Sequence, residues 1–206
     1  CKLQWKVDWA MRWFTFDVDF EMYGKDLIES ATLSRKVCET LGKKPPNGFA
    51  YELFLDERGE KISKSKGNGI AIDQWLRYAP PESLSLYMYQ NPRRAKKLYS
   101  DVVPKAVDEY LSSIEKYSSQ KSNEQILNPV WHIHNGSPPK EKIVMPFSML
   151  LNIVGSSNAK NKDILWKFIK KFHKDIDPKN HKILDALTSY AINYFVDEVE
   201  PKKKYK

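Results

Sequence analysis

Apolar and polar positions follow two regimes along this chain of 206 residues, and the change comes near residue 70. Before it, helical and strand-like rhythms take turns. Trp5, Trp9 and Trp13 recur every fourth position, which places them on one face of a helix over residues 2–13, with Asp8 and Arg12 beside the stripe. Such a stripe suits core packing, or the flat wall of a pocket against which an aliphatic stem or a cation can lie. Phe14 to Phe20 alternates strictly, the period of a strand, with Asp17 and Asp19 on one face. The chain turns at Gly24, a helix is expected over Leu27–Leu41, and Gly42 with Pro45-Pro46 ends it. Phe49 to Leu55 then reads as a short buried strand. Strand, helix, strand and loop is the order of a doubly wound α/β unit, whose ligands sit beyond the carboxyl ends of the strands.

After residue 70 the pattern is helical. Asp73–Tyr78 makes one short segment, and Pro80-Pro81-Glu82 opens a second through Leu84, Leu86, Tyr87 and Met88. From Pro104, apolar Val107, Tyr110, Ile114 and Tyr117 step by three and four, as on an amphipathic helix. The polar run Ser118–Glu124 reads as a linker and a candidate boundary. Pro146–Val154 is an apolar helix. Ile164, Leu165, Phe168, Ile169 and Phe172 form a stripe opposite Lys167, Lys170, Lys171 and Lys174. Asp177-Pro178 is expected to cap a last helix that stops at Pro201. The expected fold is thus α/β, a partial Rossmann-type domain, followed by an all-α region.

Charge sharpens the picture. Residues 1–75 carry 12 Lys/Arg and 12 Asp/Glu, so the whole net charge of +8 falls on residues 76–206, where a polyanion would be gripped. Pro92-Arg93-Arg94-Ala95-Lys96-Lys97 concentrates cations that suit either a solvated helix face or contact with nucleic acid. No apolar run approaches the length that spans a bilayer, and no secretory pattern opens the chain. Cys1 and Cys38 form neither a metal-ligand spacing nor a disulfide framework, so a reducing cytoplasm is the expectation. Cys1 in place of an initiating Met suggests a piece of a longer protein.

The most informative stretch is Lys61-Ile62-Ser63-Lys64-Ser65-Lys66-Gly67-Asn68. Ammonium groups neutralise phosphate, serines supply short donors, and glycines let backbone N–H groups approach an anion. This is the make-up of a loop serving phosphoryl or nucleotidyl transfer, in which the protein mainly holds charge on departing oxygens.

Those residues resemble the KMSKS loop of class I aminoacyl-tRNA synthetases, with Ile62 where Met is usual. Trp5–Trp13, Asp19-Phe20-Glu21 and Gly24-Lys25-Asp26 are similar to the second half of the catalytic domain of the class I lysyl type, with Leu27 where archaeal-type members carry His. The resemblance implies lysine and tRNA(Lys) as partners, ATP with Mg²⁺, and a lysyl-adenylate intermediate. Catalytic duty would fall on Lys61 and Lys64, with Ser63, Ser65, Gly67 and Asn68 also at ATP. Trp5, Asp26 and Tyr51 would line the amino-acid pocket, and Arg93, Arg94, Lys96 and Lys97 would meet the tRNA. Residues 1–78 would be the end of the catalytic domain, 79–120 a stem-contact region and 121–206 the start of an anticodon-binding domain.

His132-Ile133-His134-Asn135-Gly136 invites comparison with the family's HIGH motif, but that motif precedes the Lys/Ser loop and this run follows it. Two His at i, i+2 without a third ligand make no metal site either, so the run reads as structural. Two alternatives stay open: a glutamyl- or glutaminyl-type synthetase, and a non-catalytic RNA-binding module derived from one.

Overall fold

The computed structural model describes residues 2–63 and 65–203. They divide into two compact units, one of residues 1–66 with 91–97 and one of residues 67–90 with 98–206.

The first unit is α/β. Helix α1 (Trp5–Phe16) buries Trp9, Ala10 and Trp13 and leaves Trp5 half exposed. It takes in Phe14–Phe16, the start of the stretch whose alternation suggested a strand. The helix persists because its end is well satisfied: Asp17 takes the left-handed conformation (φ 48°), and the Lys43 ammonium meets the Phe14 carbonyl at 2.6 Å and the Asp17 carboxylate. Strand β1 is therefore Phe20–Gly24, later than the alternation implied. A 3-10 turn, Lys25–Leu27, leads into α2 (Ile28–Thr40), and Gly42 at φ 90° ends it as expected. Strand β2 (Asn47–Tyr51) runs parallel to β1 with Phe20 opposite Asn47 and Gly24 opposite Tyr51. The two helices pack together; Ser34, fully buried, donates from its hydroxyl to the Lys6 and Ser30 carbonyls, both at 2.8 Å.

The expected single buried strand Phe49–Leu55 is instead two half-exposed pieces, β2 and β3 (Phe54–Leu55). The break has a cause in the backbone ladder. At Glu52 the chain changes partner: Glu52 N–H donates to the Pro92 carbonyl at 2.9 Å, and β3 pairs in parallel with β4 (Lys96–Lys97). The cationic run 92–97 thus ends in a strand and is not a helix face. Asn91, at φ 48°, redirects the chain there.

The second unit is helical: α3 (Ile72–Tyr78), α4 (Pro81–Tyr89), α5 (Val103–Ser119), α6 (Ser122–Gln125), α7 (Pro129–Ile133), α8 (Phe147–Ser157), α9 (Lys162–Phe172) and α10 (Lys182–Tyr194). Its core gathers the stripes read from the sequence, with Trp75, Leu86, Leu111, Ile114, Phe147, Leu150, Leu165 and Ile169 all nearly inaccessible. Buried polar groups are satisfied locally. The Trp75 indole donates to Ser83, which donates to the Pro80 carbonyl, and Asn128 bonds the Ser113 carbonyl, Gln120 and the Val130 N–H. Asp177 does not cap α10. It accepts from Lys179 N–H and Asn180 N–H in a turn of its own, and the helix starts five residues later. Past α10 the chain stays helical through a π turn (Phe195–Val199) and a 3-10 turn (Glu200–Lys202), so Pro201 lies inside the last turn. Arg77 clamps that end through both oxygens of Asp197.

Candidate functional site

In the first unit the chemistry collects where the parallel strands end. β1 finishes at Gly24 and β2 at Tyr51, side by side in register. The next residues are Lys25 and Asp26 on one side and Glu52 on the other. Lys25 and Glu52 join at 2.8 Å, and that ammonium holds the Glu52 carboxyl below its ordinary range. Gly24 is a tight spot: a Cβ there would come within 2.7 Å of the Asp26 carboxylate and 3.7 Å of the Tyr51 ring.

Helix α1 covers one side of β1. Trp9 meets Tyr23 edge-on at 5.7 Å, and the Trp13 indole donates to Glu21 at 2.9 Å, so α1 runs antiparallel to β1. Trp5 lies one turn before Trp9 on that helix. It stacks on Trp9 at 5.3 Å and keeps 48% of its surface exposed.

A hairpin delivers the Lys/Ser stretch. After β3, Asp56 is almost fully buried and its carboxylate accepts from Arg58 N–H and Glu60 N–H, with Gly59 at φ 85° completing the turn. Ile62 N–H returns to the Phe54 carbonyl at 3.1 Å, and Lys61 bridges Leu55. Lys61 Nζ then lies 3.5 Å from the Asp26 carboxylate. Both side chains are more than half exposed, so the pair holds Lys61 by under about 1 kcal/mol. A polyphosphate, with its higher charge, would draw that ammonium away. Ser63 and Ser65 hydrogen-bond to each other at 2.8 Å, and Lys66 pairs with Glu60 at 3.5 Å. Lys64 lies outside the described residues. Gly67 and Asn68 fall in the second unit, Gly67 at φ 60°.

Three residues expected at one site from far-separated positions, Asp26, Tyr51 and Lys61, therefore share one end of the sheet, while Trp5 contacts Trp9 on α1. Arg93 and Arg94 belong to the same unit. With Phe49, Asn91 and Pro92 they line an open cavity of about 500 Å³, the Arg93 guanidinium lying 5.6 Å from the Phe49 ring centre. Lys97 donates to the Glu57 carbonyl at 2.8 Å, and Lys96 is half buried in β4. Sequence reasoning did not anticipate the Lys25–Glu52 pair or the Phe49–Arg93 cavity; Asn91-Pro92, a turn dipeptide, was the available signal for the latter.

Elsewhere, His134 Nε2 and the Tyr110 hydroxyl lie 2.9 Å apart in the second unit, with burial pushing the Tyr110 phenol up, and His132 bonds the Ile126 carbonyl. These roles are structural. Among the described residues no group of three His, Cys, Asp or Glu side chains is placed to hold a metal ion, and no helix is long and apolar enough to cross a membrane.

Comparison with known proteins gives a consistent result. The family described as tRNA synthetases class I (K) matches residues 1–137. The chain is 51% identical over its full length to a lysine--tRNA ligase of Roseobacter denitrificans, covering 39% of that protein. It is 50% identical to lysine--tRNA ligases of Rickettsia rickettsii and Rickettsia bellii, again over its full length and 40% of theirs. The chain thus spans about two fifths of the length of these relatives.

Proposed function

Because this chain belongs to the class I (K) tRNA synthetases, we propose that the full-length protein attaches lysine to tRNA(Lys) with ATP as co-substrate. The lysine carboxylate attacks the α-phosphorus of ATP, the bond to the bridging oxygen breaks, and pyrophosphate departs from lysyl-adenylate. A ribose hydroxyl of the tRNA terminus then attacks the activated carbonyl and AMP leaves.

The observation that carries this reading is the meeting of Lys61 and Asp26 at the carboxyl ends of β1 and β2, 35 residues apart in sequence. Lys61, with Lys64, neutralises the charge that builds on the departing β- and γ-phosphates. Ser63 and Ser65 shape the loop, and Gly67 with Asn68 forms its hinge. Trp5 and Tyr51 wall the amino-acid pocket, and the Asp26 carboxylate offers a partner for the lysine ammonium. Mg²⁺ would travel with the ATP phosphates, since among the described residues no group of three His, Cys, Asp or Glu side chains is placed to hold it. Arg93, Arg94, Lys96 and Lys97 contact tRNA phosphates.

On this reading residues 1–78 complete a Rossmann-type catalytic domain, 79–120 contact the acceptor stem and 121–206 begin an anticodon-binding domain, all in a cytoplasmic enzyme. The 206 residues alone, two fifths of the relatives' length, are expected not to aminoacylate. The test is ATP–pyrophosphate exchange by the full-length protein with lysine, glutamate or glutamine. Exchange with lysine alone supports the proposal, and exchange with either of the others in its place overturns the specificity.

A further inference from the structure

Two cations of the Lys/Ser loop, Lys61 and Lys66, rest on carboxylates of the same unit, Lys61 on Asp26 and Lys66 on Glu60, each at 3.5 Å. The two contacts differ in reach. Glu60 belongs to the hairpin that delivers the loop, whereas Asp26 stands just past the end of β1, 35 residues from Lys61 in sequence. The other carboxylate at the strand ends is already engaged: Glu52 accepts from the Lys25 ammonium at 2.8 Å and from Leu53 N–H at 3.2 Å. An ammonium ion arriving at these strand ends therefore finds Asp26 as its acceptor, and it finds Lys61 there first.

The Lys61 head group and the side-chain ammonium of a lysine substrate are the same chemical group. A carboxylate neutralised by one attracts a second only weakly, and the two cations repel each other. The Lys61–Asp26 pair is more than half exposed on both sides and correspondingly weak, so a substrate held by further pocket contacts can displace it. We propose that lysine, on reaching Asp26, displaces Lys61 and so frees the loop ammonium for the phosphates of ATP. This inference rests on the reading of Asp26 as the partner of the substrate ammonium, and it adds how the amino-acid and phosphate halves of the site are coupled. Asp26 acts on the phosphates as a positioning residue, through Lys61. Linkage makes the effect reciprocal: a polyphosphate that captures Lys61 vacates Asp26 and tightens lysine by the same factor. Its size is bounded by the strength of an exposed pair, which sets it at about twofold.

Titration calorimetry on the full-length protein tests it, with lysine and the α,β-methylene analogue of ATP, whose bridge the lysine carboxylate cannot break. In the unsubstituted protein each ligand is expected to tighten the other about twofold. Lys61→Ala should abolish that coupling and by itself tighten lysine about twofold, because an internal competitor has gone. Asp26→Asn, isosteric at an exposed position, should weaken lysine about tenfold and tighten the analogue about twofold, opposite signs that a merely structural role does not produce. No coupling in the unsubstituted protein overturns the proposal, and that measurement needs no variant to fold. So does coupling that survives Lys61→Ala, lysine binding that this variant leaves unchanged or weakens, or a loss of both ligands in Asp26→Asn. Lysine-dependent ATP–pyrophosphate exchange reports on the functional reading separately: exchange without coupling sinks this inference alone, and coupled binding without exchange sinks the functional reading alone.

Discussion

Gly48→Ala probes the contact that sets the two parallel strands against each other. A Cβ built at Gly48 would stand 1.9 Å from the Glu21 carbonyl oxygen and 2.9 Å from its carbon, both main-chain atoms of β1. An acceptable carbon–oxygen approach is about 3.3 Å, so the strands must part by roughly 1.4 Å. Backbone cannot swing aside as a flexible side chain would. Overpacking of this kind costs about 1–3 kcal/mol, and loosening two ladder bonds adds about 1 kcal/mol each. The stiffer unfolded chain of the alanine variant returns about 0.5–1 kcal/mol. The net expectation is a loss of about 2–4 kcal/mol confined to the first unit. Hydrogen exchange should show it as faster exchange at residues 20–24 and 47–51, with the α5 and α8 amides of the second unit unchanged. A loss under about 0.5 kcal/mol, or unaltered protection at residues 20–24, would refute the strand pairing as described.

Two further outcomes follow from the second unit and the loop. Asp185 accepts from Lys162 and from the Trp166 indole, both at 2.9 Å; burial raises its carboxyl, but those two donors outweigh it and hold the group below its usual 3.8. Asp185→Asn should cost about 1 kcal/mol at neutral pH, discounted for partial exposure, measured by denaturant unfolding with Trp fluorescence. Because the folded-state value is depressed, that stabilisation is complete above 3.8 and disappears as pH falls through the lower folded value; a difference from the parent that grows in acid would contradict it. Gly67 sits at φ 60°, where a Cβ is strained by about 1 kcal/mol. In the full-length protein, Gly67→Ala should lower the unfolding free energy by about 1 kcal/mol and slow adenylate formation roughly fivefold, and no kinetic effect would remove Gly67 from the hinge.

What the sequence disclosed depended on how local the signal was. The amphipathic stripes of α5 and α9 were readable because Val107, Tyr110 and Ile114, or Leu165 and Ile169, repeat within one helix and are buried together. Helix α2 was readable for the same reason, whereas the first strand lies at Phe20–Gly24, after the alternation that suggested it. The end of α1 was not, because Phe14, Phe16 and Phe20 alternate as a strand would, and the helix is prolonged by Lys43, 29 residues from Phe14. Nor was the pairing of β3 with β4, which depends on two dipeptides some 40 residues apart and a partner switch at Glu52. Composition alone would also suit the Lys/Ser stretch to a solvated turn, and it was the resemblance to a known loop that suggested its chemistry. Only the fold places Lys61 on Asp26 and brings Tyr51 beside them.

The central claim is that the loop ammonium groups act on the departing pyrophosphate. It is tested most directly in the full-length protein by comparing Lys61→Ala and Lys64→Ala with the parent in lysine-dependent ATP–pyrophosphate exchange, with equilibrium lysine binding measured alongside. The account predicts that each variant loses about 100-fold or more in exchange, the scale of removing one charge-stabilising donor, while lysine affinity stays within about twofold. Equal losses in exchange and in lysine binding, or exchange at the parent rate, would contradict it.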